Sequence, residues 1–108
     1  MAMPHAQPNE VVDLRPLGPA LAGSKTTALV KTKQFEAVRL ILLKGKHIPA
    51  HSLSGQVTFL CLEGHVTLHA ETDIDLQAGD WVYLDRGAPH SLSASRDSSL
   101  LLTIHFDP

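Results

Sequence analysis

The feature that most constrains the fold is a series of short apolar runs, beginning near Thr26 and separated by Gly, Pro, Asp and Ser. In the last run, Leu100 and Leu102 fall on one face while Thr103 and His105 fall on the other, which is the period of two of a β-strand. The sequence therefore predicts an all-β domain. The predicted strands cover residues 27–32, 35–44, 56–62, 65–70, 73–77, 81–84, 90–94 and 100–106.

The connections between these runs are short, with turn residues at Glu63-Gly64 and at Ala78-Gly79-Asp80. Short turns favour antiparallel neighbours over parallel strands joined by helices. A barrel is expected, and an open two-layer sandwich is the alternative. Residues 1–23 hold four of the seven prolines and predict an extended N-terminal arm, followed by one domain at residues 24–108.

The net charge and the short apolar runs argue against nucleic acid and membranes as partners. The formal net charge is −2 with scattered Lys and Arg, so a nucleic-acid-binding face is not expected. The longest apolar runs, such as Leu40 to Leu43, are too short to cross a bilayer, and the N-terminus does not read as a secretion signal. We expect a cytoplasmic protein with no membrane partner. The single cysteine, Cys61, is expected in the core rather than at a reactive or ligating position.

Two stretches place glycine and histidine at regular spacing. In the first, Gly45 is followed after five residues by His51, and Gly64 closes the stretch. In the second, Gly79 is followed by Gly87 and His90. Together, in this order and among strand-like runs, they resemble the two motifs of the cupin superfamily. The resemblance extends from about residue 35 to the C-terminus.

The resemblance implies an antiparallel jelly-roll β-barrel of the RmlC-like cupin type, whose strands carry metal ligands inward near one mouth. It does not imply a particular reaction. This sequence departs from the motifs at four positions. Leu53 stands in place of the second histidine, Val57 in place of the acidic ligand, Asp85 in place of a proline and Ala94 in place of an asparagine.

By this resemblance His51 and His90 are the first two candidate metal ligands. His47 is the candidate third ligand, because even spacing along a strand points side chains to one side. Gln56 is the next possibility if a one-residue bulge turns it inward. A divalent transition metal (Zn, Ni, Fe, Mn or Cu) and a metal-free barrel are left equally open, the second with His51 and His90 as residual barrel-mouth histidines.

If the barrel has a pocket, we expect it to be mainly apolar. Leu53, Val57, Phe59 and Cys61 repeat at even spacing and are expected to face inward with the histidines, beside Gln56.

The remaining histidines and the aromatic residues Trp81 and Tyr83 are further candidates. In the run His65 to His69 we expect both histidines to face solvent, because alternation then sends Val66 and Leu68 inward. His105 fits either the lumen or the surface. Trp81 and Tyr83 share one face, which suits core packing, a dimer surface or ligand stacking.

Three functional hypotheses follow. The preferred one is a cupin that binds a small molecule in the barrel mouth, with or without a divalent metal. The alternative is a metal-dependent enzyme, dioxygenase-like or isomerase-like, that uses a histidine-rich site. A third hypothesis, compatible with both, is a homodimer in which the N-terminal arm crosses onto the partner's sheet.

Overall fold

The computed structural model describes residues 5–51 and 54–106, apart from the side chains of Ala50 and His51. The all-β prediction is confirmed, and the helix found within these ranges, a 3-10 helix at Gly18–Gly23, is not long and apolar enough to cross a membrane. The strands are β1 (Thr27–Lys31), β2 (Phe35–Leu42), β3 (His47–His51), β4 (Val57–Glu63), β5 (His65–His69), β6 (Asp73–Gln77), β7 (Trp81–Leu84), β8 (His90–Ala94) and β9 (Ser98–His105).

The strands form two antiparallel sheets. The five-stranded sheet has the order β1-β2-β9-β4-β7, and the four-stranded sheet has the order β3-β8-β5-β6. Strands that are neighbours in space are mostly distant in sequence, as a jelly roll requires. Among the described residues the two sheets are hydrogen-bonded separately, so the barrel is a two-sheet jelly roll rather than one closed sheet.

A single apolar core joins the sheets. The five-stranded sheet contributes Phe59 and Leu100, and the four-stranded sheet contributes Leu68 and Leu92; each of these side chains is at most 2% exposed. They lie inside because inward and outward positions alternate along each strand. Burying one such side chain contributes about 1.5–3 kcal/mol, so these inward positions supply much of the stability.

Three predicted strands, β6, β7 and β8, have the observed bounds, whereas β3 is absent from the predicted set. Pro49 lies within β3 and cannot donate to a strand ladder, which argues against a central strand. The four-stranded sheet resolves this conflict because β3 is its edge strand, where proline is tolerated. The short helix within the arm was likewise not predicted.

Gly64 joins β4 to β5 in a conformation that other residues rarely adopt. Its φ is 91°, in the left-handed region. A Cβ atom at this position would lie 2.7 Å from Ser98 Cα and would also meet the Asp97 carbonyl oxygen. Gly79 has a similar φ of 92°, but a Cβ atom there would have no neighbour within 4 Å. A side chain at Gly79 would therefore cause backbone strain alone, whereas a side chain at Gly64 would cause backbone strain and a steric clash.

We expect Gly64→Ala to lower the free energy of unfolding more than Gly79→Ala. The second substitution carries only the left-handed penalty of about 1–2 kcal/mol, whereas the first adds a clash with backbone atoms that cannot move aside. Urea denaturation of both variants measures the difference. Equal losses in the two variants would contradict the close approach at Gly64.

The N-terminal arm lies along the five-stranded sheet of its own chain. The Ala6 amide donates to Leu29 O at 2.8 Å, and Arg39 Nη2 donates to Arg15 O at 2.8 Å. Arg39 shares an outward-facing row of β2 with Ala37 and Ile41, yet it is only 8% exposed because the arm covers it. Exchange of this arm between two chains stays a prediction.

Glu63 fastens the arm at the end of β4. Its carboxylate accepts the amides of Leu17 and Gly18, accepts the Ser99 hydroxyl at 2.8 Å, and lies 3.5 Å from Arg39 Nη2. Burial disfavours the charged carboxylate, but the three donors and the Arg39 charge outweigh burial and lower the pKa of Glu63. The ionised form is therefore the one that the folded arm stabilises.

We expect Glu63→Gln to lower the free energy of unfolding by about 2–3 kcal/mol near pH 7, since an amide cannot accept all these donors. Because the folded pKa is lowered, the contribution of Glu63 is complete above its ordinary value of 4.5 and is lost as the pH falls below that value. Urea denaturation at a series of pH values measures both effects.

Glu10→Gln is the matched control, because Glu10 is exposed and lies in the same arm. It should leave the free energy of unfolding and its acid dependence unchanged. Limited proteolysis should cut the arm faster in Glu63→Gln than in Glu10→Gln. Identical acid profiles for the native protein and Glu63→Gln would refute the role of Glu63 as the arm's fastening.

Candidate binding site at one end of the jelly roll

Among the histidines whose side chains the structure describes, His90 is the buried one. It begins β8, where His90, Leu92 and Ala94 face the core, and it is 2% exposed. Its Nδ1 lies 3.0 Å from Ala88 O, and its ring meets Phe59 edge to face at 5.8 Å between centroids. A carbonyl oxygen only accepts, so Nδ1 carries a hydrogen, and in the neutral ring Nε2 carries the lone pair. Nε2 is thus the ring atom that can accept a hydrogen bond or bind a metal.

The backbone of β3 brings His51 beside His90. The two residues are directly opposite in the register between β3 and β8, whereas the side chain of His51 lies outside the described part of the chain. The backbone register therefore places the two candidate ligands next to each other at one end of the jelly roll, and their role as metal ligands stays a prediction.

His47 does not follow the inward face of β3. The register shifts between Ile48 and His51, so one extra residue on β3 reverses the alternation between the two histidines. Ile48 is opposite Leu92 and packs on the core, while His47 is opposite Ser93 and is exposed. The even spacing that suggested His47 as a third ligand is broken by this bulge, and His47 stands on the outer face, away from His90.

The predicted inward row of β4 is present, but it fills the core. Val57, Phe59 and Cys61 are each at most 2% exposed. Gln56 is exposed, and its amide donates to Asp85 Oδ1 at 3.5 Å. In the described part of the chain β4 begins at Val57 and its register shift lies between Cys61 and Glu63, so the bulge that would turn Gln56 inward is not observed there. Leu53, the fifth predicted pocket residue, lies outside the described residues.

Cys61 is enclosed by the core. Burial raises the pKa of its thiol, an effect only partly opposed by the hydrogen bond from Sγ to Glu63 O at 3.6 Å. A thiol kept protonated is a poor metal ligand and a poor nucleophile. Cys61 therefore acts as a small apolar side chain.

A transition-metal site needs about three protein donors. Residues 5–51 and 54–106, as far as their side chains are described, contain no group of three His, Cys, Asp or Glu residues that could hold a metal ion. Val57 occupies the acidic ligand position of the motif, and His47 faces the other side of the sheet. The described residues around His90 therefore do not fit such a site.

A cleft opens at the same end of the jelly roll. Its volume is about 450 Å³, which lies within the range of about 300–1,000 Å³ typical of small-molecule sites. Two register pairs place the cleft at this end. Leu84, which lines the cleft, is opposite Val57 at the start of β4, and His69, which precedes the lining residue Ala70, is opposite Ser91, the residue after His90. The cleft is lined by Ala70, Glu71, Thr72, Ile74, Tyr83, Leu84, Asp85 and Ala88.

The cleft combines an apolar floor with an acidic rim. Leu84 is buried and Ala88 packs against the core, while Glu71 and Asp85 are exposed. Tyr83 is 56% exposed and presents an aromatic face. No Lys or Arg is among the described lining residues, so the rim favours ligands that donate hydrogen bonds or carry positive charge.

The acidic rim could not be predicted from the sequence. Glu71 lies in the turn between β5 and β6, and Asp85 follows β7, so no pattern of neighbouring residues connects the two carboxylates. Val66 and Leu68 are fully buried, His65 and His69 face outward as predicted, and His105 is exposed.

Comparisons with known proteins agree with this fold. A curated, uncharacterized protein from Aquifex aeolicus is 28% identical over 105 residues, covering 94% of this chain and 86% of its own. A solved conserved protein of unknown function from Streptococcus pyogenes superposes with a TM-score of 0.78 at 19% identity, covering 100% of this chain and 96% of its own.

A solved cupin superfamily protein from Desulfitobacterium hafniense superposes with a TM-score of 0.75 at 15% identity, covering 90% of this chain and 99% of its own. At these identities the solved structures show the fold alone. The family profile described as "Cupin domain" matches residues 38–106, which is more than half of the sequence and includes both glycine and histidine stretches. The two stretches, the jelly-roll topology and this match together show that the chain belongs to the cupin family.

Proposed function

We propose that this cupin binds a small organic molecule in the cleft between the edges of β6 and β7. The observation that carries the proposal is the cleft itself, about 450 Å³ with an apolar floor, at the end of the fold where the backbones of His51 and His90 meet. A concave apolar site with a few polar groups is the usual form of a small-molecule site.

The lining favours a compact molecule with hydroxyl or ammonium groups. The carboxylates of Glu71 and Asp85 only accept hydrogen bonds, and the Asp85 carboxylate already receives the Arg86 amide at 2.9 Å. The exposed ring of Tyr83 offers a stacking surface for an apolar or cationic group. An anionic molecule would meet two negative charges at the rim.

His90 contacts the backbone of Ala88, which lines the cleft. Its Nδ1–H donates to Ala88 O, which fixes the backbone of a lining residue. Ala88 also packs against the core, so a hydrogen bond and apolar contacts together hold this part of the cleft lining in place. A rigid wall reduces the entropy lost when a ligand binds.

Thermal unfolding with a panel of probes tests the proposal. Polyols, small sugars and primary amines should raise the midpoint of unfolding, whereas small carboxylates should not. Binding at a hundred times the dissociation constant stabilises the native state by about 2.7 kcal/mol, which is readily detected. Thr72→Trp should abolish the response by filling the cleft, and Lys33→Trp, on the exposed turn between β1 and β2, should preserve it.

A response that survives Thr72→Trp unchanged, or a flat response to every probe, would overturn the assignment of the cleft. Stronger stabilisation by the carboxylates than by the amines would overturn the role given to the acidic rim.

Elemental analysis separates this proposal from the metal-dependent enzyme. The described donors gather around no common point, so we expect well below one transition-metal ion per chain in the untagged protein. Inductively coupled plasma mass spectrometry provides the measurement. A stoichiometric metal that is lost in His90→Gln, with unfolding still cooperative, would replace the proposal by a metal-dependent one.

A further inference from the structure

The outer face of the four-stranded sheet carries a row of polar side chains that the proposed function does not use. Strand β5 lies between β6 and β8. The alternation that buries Val66 and Leu68 sends His65, Thr67 and His69 to this outer face.

His69 connects a carboxylate to a serine. Its Nδ1 lies 2.9 Å from Asp73 Oδ1, and its Nε2 lies 2.8 Å from Ser93 Oγ. An ionised carboxylate only accepts hydrogen bonds, so the Nδ1 of His69 carries the hydrogen. In the neutral ring the Nε2 lone pair then accepts the hydroxyl hydrogen of Ser93. This is the order of contacts in which a histidine acts as base toward a serine nucleophile.

We propose that Asp73, His69 and Ser93 form a nucleophilic triad on the outer face of the sheet, which cleaves small activated carboxylic esters. The site is separate from the cleft, because its groups face outward while the cleft floor faces the core.

Three adjacent strands hold the triad in place. Asp73 is directly opposite His69 in the register between β6 and β5. Ser93 lies diagonally across from His69 on β8, since Ser91 is the residue directly opposite. Diagonal neighbours in a sheet are about 7–8 Å apart at Cα, within reach of an imidazole ring. Groups on paired strands keep their geometry better than groups on loops.

His47 stands on the other side of Ser93. It is directly opposite Ser93 in the register between β3 and β8, and it is exposed. Thr67 is opposite Ser93 on β5, but its hydroxyl donates to Asp75 at 3.0 Å. On this register and exposure, we assign the stabilisation of the oxyanion to the imidazole N–H of His47.

The reaction balances with an ester and water. Ser93 Oγ bonds to the carbonyl carbon as His69 Nε2 takes its proton, and the π electron pair moves to the carbonyl oxygen. The bond to the leaving oxygen then breaks, and the alcohol departs with the proton from Nε2. Water next attacks the acyl group, His69 takes a proton from it, and Ser93 Oγ leaves with that proton as the acid is released.

The exposure of the triad limits its substrates. The side chains of His69 and Asp73 are 40% and 72% exposed, so water competes for the same hydrogen bonds. Such a site suits short acyl groups on good leaving groups, such as aryl esters, rather than amides.

His65 and Ser95 form a second histidine–serine pair beside the triad, which serves as a control. His65 Nδ1 contacts Ser95 Oγ, but its Nε2 lies 3.7 Å from Asp75 Oδ1, beyond hydrogen-bonding distance. Ser95 therefore has a histidine neighbour whose nearest carboxylate, Asp75, makes no hydrogen bond to the imidazole ring. It has the residue type of Ser93, so it reports the reactivity of a serine–histidine pair that lacks the carboxylate hydrogen bond.

Covalent labelling tests the proposal on the intact protein. A fluorophosphonate forms a P–O bond with an activated serine and releases fluoride, and the modified residue is located by peptide mass spectrometry. We expect labelling at Ser93, with at least a tenfold lower rate in His69→Gln and in Asp73→Asn. Ser95→Ala should leave the labelling at Ser93 unchanged.

Hydrolysis of 4-nitrophenyl acetate provides the second readout, compared with Ser93→Ala because exposed histidines also cleave this ester slowly. His47→Gln should slow hydrolysis about tenfold or more with little change in the midpoint of unfolding. No adduct at Ser93, or equal labelling of Ser93 and Ser95, would overturn the proposal. Ser93→Ala should keep the thermal response to the cleft probes, so the two proposals fail separately.

Discussion

The shared apolar core between the two sheets determines where the polar groups of this protein can lie. Every strand must turn one face inward, so the position of a side chain in the alternation decides its environment. His90 takes an inward position and is buried, while His65 and His69 take outward positions. A count of seven histidines says little about chemistry until this sorting is known.

The fold could be predicted from the sequence because its main signals are local. Alternation within a strand and turn glycines such as Gly64 are read from neighbouring residues. The strand that was missed, β3, contains Pro49, whose tolerance depends on the strand's place at the sheet edge. That place is a property of the whole topology and leaves no local trace.

The candidate site was harder to predict because it depends on register. One extra residue in β3 separates His47 from the inward face, and the sequence does not show where a bulge falls. The contacts of Glu63 with Leu17 and of His69 with Ser93 each join distant segments. Asp73 lies on β6 and Ser93 on β8, and only the strand order shows that β5 lies between these two strands.

Because Cys61 is buried, its reactivity reports whether the core around it is intact. The side chain is 1% exposed and its thiol is held protonated, so thiol reagents reach it only when β4 separates from its neighbours. Because this is the only cysteine in the sequence, its modification carries no background from other sites. The rate of thiol alkylation under native conditions therefore measures how often the centre of the jelly roll opens.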